Sequence, residues 1–167
     1  MMPVRPTVSI IREIIKDQLS LNEDQIWIYN QRIKIPDTKG MFISVSRIGS
    51  KVYANNSSYT GSTEELVEDQ YVSNLETISI DALSQDTSAL EYYPDILMAL
   101  RSTKAQKEAE NYGMRFDSIP FSTADLSSPE GTSMIYRINI RFPVYRTYYT
   151  SRSIDYFDSF SNNIISD

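Results

Sequence analysis

The chain contains no cysteine and no histidine. Without cysteine there is no disulfide framework, and without either residue soft-metal sites are essentially excluded. The Ser–His and Cys–His nucleophile arrangements are excluded as well. An enzyme built on this sequence would have to work with carboxylates, lysine, serine or tyrosine. Glycine is scarce, at five residues in 167, and neither a G-x-x-x-x-G-K-[ST] phosphate loop nor a G-x-G-x-x-G turn occurs. Thr60-Gly61-Ser62-Thr63 lacks the lysine and the leading glycine. Pro36-Asp37-Thr38-Lys39 lacks the second carboxylate-x-Lys element of a metal-dependent nuclease, and turn chemistry explains Asp37 better. Long apolar runs are missing too. The N-terminal stretch MMPVRPTVSIIREIIKDQL is broken by Arg12, Glu13 and Lys16, too short and too charged for a signal peptide or a membrane span. A soluble, unprocessed protein with no membrane partner is expected, and the missing cysteine fits a reducing cytoplasm. Positive charge is in deficit: 16 Lys and Arg against 22 Asp and Glu give a net charge of −6. That balance opposes tight non-specific binding of duplex nucleic acid, which needs clustered cations.

Tyrosine is abundant, at twelve residues. Its apolar body and polar tip suit wet interfaces as well as strand packing. Val8, Ile11, Ile14, Ile15 and Leu19 recur at helical spacing, which predicts an N-terminal helix with Pro6 in its first turn and Thr7 as cap. QIWIYNQRIKIP reads as a strand closed by the turn PDTKG. MFISVSRIGSKVYA reads as a second strand, with Met41, Ile43 and Val45 on one face, Ser44 and Ser46 on the other, and Gly49 marking a bulge or bend. NNSSYTGSTEELVED is read as a long, exposed loop or hairpin tip. Within it Glu64, Glu65, Glu68 and Asp69 form an acidic cluster that normally sits at a solvated tip.

QYVSNLETISIDAL is the next strand, with Ile78, Ile80 and Ala82 inward and Thr77, Ser79 and Asp81 outward. Helical period begins at Leu90, so the segment between is a strand-to-helix junction. Ser88-x-x-Glu91 matches a capping box, and Asp86, Glu91 and Asp95 place negative charge at the positive helix end. Capping therefore accounts for Asp86, Ser88 and Glu91 better than acid–base catalysis does. Pro94 implies a late start or a kinked first turn. The helix is expected to continue through STKAQKEAENYG and stop at Asn111-Tyr112-Gly113. MRFDSIPF reads as a short strand and STADLSSPEGTS as a loop. MIYRINIRFPVY alternates cleanly: Met134, Tyr136, Ile138, Ile140, Phe142 and Val144 face Arg137, Asn139 and Arg141 across the strand, and Pro143 suggests an edge or an end. Arg137, Arg141, Tyr145, Tyr148 and Tyr149 are candidate subunit-interface residues. Stacking plus charge on single-stranded nucleic acid is the alternative use of this Arg/Tyr mixture, which the acidic total disfavours.

The strand ending in ISIDALSQDTSA (78–89), a helix closing on ALRS (99–102), and DLSSPEGTSMIYRINIR (125–141) together resemble a phage neck or tail-terminator family, as does QRIKIPDTKGMFISVSRIGSKVYANN upstream. The resemblance covers most of residues 7–150, and the segment after about Tyr148 resembles nothing comparable. It implies an α/β (α+β) fold, a twisted and mainly antiparallel sheet packed by an N-terminal and a central helix, with long loops. Residues 1–150 would form that domain and 151–167 a C-terminal arm. It implies a structural, non-catalytic virion protein without cofactor or metal, assembled in the host cytoplasm. The protein would form a homo-hexameric ring at the neck, contacting the tail tube protein and head-completion proteins. Double-stranded DNA would pass through the lumen without specific binding. An acidic lumen repels phosphates. The alternative reading is a small binding adaptor without catalysis, such as a head-completion factor or host-interaction module.

Overall fold

The computed structural model describes residues 5–28, 39–61, 66–116, 121–130 and 133–154. In chain order the elements are α1 (Thr7–Leu19), β1 (Ile26–Ile28), β2 (Phe42–Gly61), β3 (Leu66–Ser84), α2 (Ser88–Arg101), α3 (Thr103–Asn111), β4 (Met114–Arg115), β5 (Ser122–Asp125), β6 (Ser128–Glu130) and β7 (Ser133–Ile154). The fold is α+β, as the family resemblance implies.

The sheet order is β1-β2-β3-β7-β4, with β5 and β6 also pairing with β7. β1 runs parallel to β2 and all other pairs are antiparallel. The three long strands β2, β3 and β7 dominate. Their proximal ends carry the core: Ile43, Ala82 and Ile138 share one rung, and Val45, Ile80 and Ile140 the next on that face. All but Ile138 are fully buried. The helices lie on that face. α1 buries Ile10, Ile11, Ile14 and Ile15 completely, and α2 adds Ala89, Ile96 and Leu100. Each large apolar side chain so enclosed contributes roughly 2 kcal/mol.

Beyond the helices the same three strands continue as a ribbon. Every residue of β2 from Arg47 to Gly61 is exposed. The stretch expected to be a loop or hairpin tip, 55–69, is strand in its described parts, at 55–61 and 66–69. Backbone ladder bonds satisfy this polar chain without a layer above it. The register of β2 shifts between Arg47 and Gly49, the bend expected there, and again between Val52 and Ala54.

Several local readings change. Thr7 does not cap α1: Pro6 occupies that position with no side-chain cap, and the Thr7 hydroxyl accepts a hydrogen bond from Arg146 at 2.6 Å. Pro94 lies inside α2, which begins at Ser88 rather than late. The central helix is two helices. Ser102 is extended (φ −66°, ψ 147°) and its hydroxyl accepts from the Ala105 N–H at 3.1 Å, ending α2 and capping α3. The stop after Asn111 holds, with Gly113 at φ +66°; a Cβ there would lie 2.8 Å from the Thr147 carbonyl. The expected loop 122–133 holds β5 and β6. Pro143 does not end β7. It falls between the stretches of β7 that β5 and β4 cover, at 138–141 and 145–146. The N–H groups of Arg137 and Thr147 point to that edge. Alternation therefore turns the Pro143 nitrogen toward the gap, where no donor is needed. β7 also runs through position 150 to Ile154, so the boundary expected at 150/151 falls within a strand. Residues 155–167, most of the expected arm, lie outside the described residues, as do residues 29–35 of the expected first strand and most of the expected turn at PDTKG.

Candidate functional site

The junction Ser84–Glu91 is a helix cap, with different residues in the leading roles. Ser84, fully buried, accepts the Ala89 N–H at 2.9 Å and donates to the Asp86 carbonyl at 2.5 Å. Asp86 accepts the Ser88 N–H at 3.0 Å. The Ser88 hydroxyl and backbone N–H hold the Asp86 carboxyl below its ordinary range. Ser88 is the first helical residue and not the cap. Glu91 accepts from the Thr87 hydroxyl at 2.6 Å instead of reaching a backbone N–H, so the capping box does not form.

On the sheet face away from the helices lies a buried polar ladder. Asp81, expected to point to solvent, is only 5% exposed. It accepts Arg137 twice, Nε at 3.0 Å and a terminal nitrogen at 2.9 Å, and accepts the Asn139 amide at 2.7 Å. Asn139 also donates to Ser79 at 2.7 Å and accepts from Arg141 at 2.7 Å. The Asp81 charge is thus consumed by structure.

A second cluster sits where the ribbon leaves the core. Glu76 is fully buried and Arg146 is 2% exposed. Tyr148 donates its hydroxyl to Glu76 at 2.7 Å, and Arg146 packs over the Tyr148 ring. Burial, and secondarily Glu76, push the Tyr148 hydroxyl up. Arg146 donates to Thr7 and to the Arg5 carbonyl, tying α1 to the sheet. A cleft of about 500 Å³ opens beside it, lined by Pro6, Thr7, Ser46, Arg47 and Glu76 among others.

The ribbon carries the remaining candidates. Glu68 accepts Arg152 at 2.8 Å and Gln70 at 2.9 Å, and Arg152 lowers its carboxyl from the usual value. Asp69 accepts the Tyr149 hydroxyl at 2.7 Å; that bond lowers the Asp69 carboxyl and raises the Tyr149 hydroxyl. Glu64 and Glu65, the other half of the acidic cluster, lie outside the described residues. Of the five interface candidates, Arg137, Arg141, Tyr145 and Tyr149 share the face away from the helices, by the strand's alternation. Tyr148 lies on the helix side against Glu76. The sequence reading missed two members of the outer aromatic face. Tyr53 meets Tyr145 edge-on at 5.6 Å, and Tyr71 lies 4.9 Å from Tyr149. Tyrosine abundance was the available signal; the cross-strand register that gathers them was not. Among the described residues no group of three or more His, Cys, Asp or Glu could hold a metal. No described helix is long and apolar enough to cross a membrane.

No protein-family model and no curated protein matches this chain. Among solved structures, the chain is similar to the PVC sheath/tube terminator of an extracellular contractile injection system, seen by cryo-EM in its extended state. That match has a TM-score of 0.42 at 14% identity and covers 97% of this chain. This chain spans 64% of the length of that one.

Proposed function

We propose that this chain is a structural subunit of a phage-like tail. It forms a hexameric ring at the neck that terminates the tail tube and joins it to head-completion proteins, with double-stranded DNA passing through without specific binding. One observation carries the reading. Three strands run far beyond the helix-covered core as a ribbon that nothing in the described chain covers. Such a ribbon gains little stability alone, and it suits a protein that completes itself by contact with neighbours. Of the charges on it, Glu68 is engaged internally by Arg152. The sequence resemblance supplies the setting.

Within this reading Glu64, Glu65 and Asp69 face the lumen or its rim, while Glu68 is offset by Arg152. The Asp69–Tyr149 bond leaves the Asp69 charge in place. Repeated around a ring, these carboxylates repel phosphates over about one Debye length, roughly 8 Å at physiological salt.

The test is cryo-EM of assembled particles together with native mass measurement. A sixfold ring at the end of the tube is expected. Three-, five- or twelve-fold symmetry, or a single copy per particle, sinks the proposal; a single copy bound to one partner is the behaviour of the adaptor instead.

A further inference from the structure

The ribbon has two outer edges, and along its outer part neither has a partner among the described residues. Among the described residues, β2 is covered on its outer side only at 43–45, by β1. The last described pairing on the outer side of β7 is at Arg146, with β4, followed by one bond from the Thr147 N–H to the Gly113 carbonyl. Alternation from Thr147 points the N–H and C=O groups of Tyr149, Ser151 and Ser153 outward, with no described partner.

The two open stretches stand at the same height. Asn55, Val72 and Tyr148 share one rung, and Gly61, Leu66 and Ile154 share another six residues on. Residues 55–61 and 148–154 therefore occupy the same seven rungs on opposite edges, roughly 23 Å of strand. Neither stretch is protected as monomer edges usually are, by lysine, proline or a bulge. β2 has no charge or proline from Asn55 to Gly61, and its bulges lie before that point. The one charge in 148–154, Arg152, is engaged by Glu68. β2 and β7 each run antiparallel to β3, so they run parallel to each other.

We infer that the β7 edge of one copy pairs with the β2 edge of the next, in parallel, over these seven rungs, joining the ribbons of successive copies into one continuous sheet. A rotation about an axis along the strands brings the edges together without axial displacement. The contact is heterologous, because each copy offers two different edges. A two-fold dimer would instead pair like with like. The inference rests on the ring reading for closure, and not on where the ring sits.

The absence of cysteine gives a clean test. Ser58 and Ser151 are exposed residues on one rung, each paired with Asp69 across β3. The variant Ser58→Cys/Ser151→Cys is oxidised at the highest soluble concentration, because a disulfide spans adjacent strands but not the two strand spacings, roughly 10 Å, that separate these residues within one copy, and circular-dichroism melts establish that it is folded. Expected is a ladder of cross-linked multimers on non-reducing denaturing gels, while each single variant stays monomeric. Dimers from either single variant would mean like-with-like pairing and overturn the inference. So would a folded double variant that gives no ladder. A ladder that closes at a number other than six supports the edge contact and removes only the hexamer. A six-copy mass without a ladder removes only the edge contact.

Discussion

Asp81 occupies a strand position that alternation assigns to solvent, yet its carboxylate is enclosed. Alternation sorts residues into two faces and does not say what covers the second one. Here the cover includes Arg137 and Asn139, more than fifty positions away in sequence. Asp81→Ala would leave Arg137 without its carboxylate and the Asn139 amide short of an acceptor. We expect a loss of about 2 kcal/mol in urea unfolding, below the value for a fully buried pair because the Arg137 side chain is 42% exposed. An unchanged midpoint would contradict this account. Glu23 is the acid-sensitive counterpart. Lys16 first, then Arg12, lower its carboxyl from 4.5 to about 2. A depressed carboxyl adds stability above its unfolded value, and that stability is lost as the pH falls toward the folded one. The melting temperature of Glu23→Gln should therefore lie below the parent's at neutral pH and converge with it between pH 4.5 and about 2. Parallel curves through that range would exclude the linkage.

Elements were most legible where apolar residues set the period. α1 follows from its isoleucines, and β7 from alternation over residues 134–144, because burial on one face fixes each. Two elements were not legible for opposite reasons. The outer half of β2 is polar on both faces, so no period marks it as strand; backbone pairing with β3 does. The break between α2 and α3 hangs on one hydroxyl, Ser102, in a run of good helix formers. The cap of α2 was read in the right place, with Asp86 among its residues, but its leading pattern, the capping box, is defined by spacing, whereas Ser84 reaches the helix from five residues before Ala89. This makes a discriminating pair. Ser84→Ala should cost about 1–2 kcal/mol, because it strips a buried N–H of its acceptor. Ser88→Ala should cost less than about 0.5 kcal/mol, since its backbone N–H still reaches Asp86. Equal costs in denaturant titrations would restore the capping box.

The whole molecule divides into a layered core and an uncovered ribbon joined by the same three strands, and this division predicts how unevenly it opens. Hydrogen exchange tracks local opening, which is cheap where strands lack buried apolar contacts and costly where they share a core. At 43–45, 78–82 and 138–142 the strands alternate buried apolar residues with polar residues of which Ser44, Ser79, Asp81 and Asn139 are buried too. At 55–61 and 151–153 the side chains are exposed and the outer edge has no described partner. Cross-strand tyrosine pairs such as Tyr71–Tyr149 add contacts there worth on the order of 1 kcal/mol each. In dilute, monomeric protein the amides of the outer rungs should exchange orders of magnitude faster than those of the core strands, while the melting temperature reports the core alone. On assembly the outward amides of Tyr149, Ser151 and Ser153 acquire partners if the ribbons join edge to edge, and their protection should rise toward that of the core. The two measurements answer separate questions. Outer rungs as slow as the core in the monomer would show that the ribbon is stable by itself and needs no neighbour. Fast exchange at Tyr149, Ser151 and Ser153 in the assembled particle would leave the ribbon dependent on contacts through its tyrosine face and not through its edges.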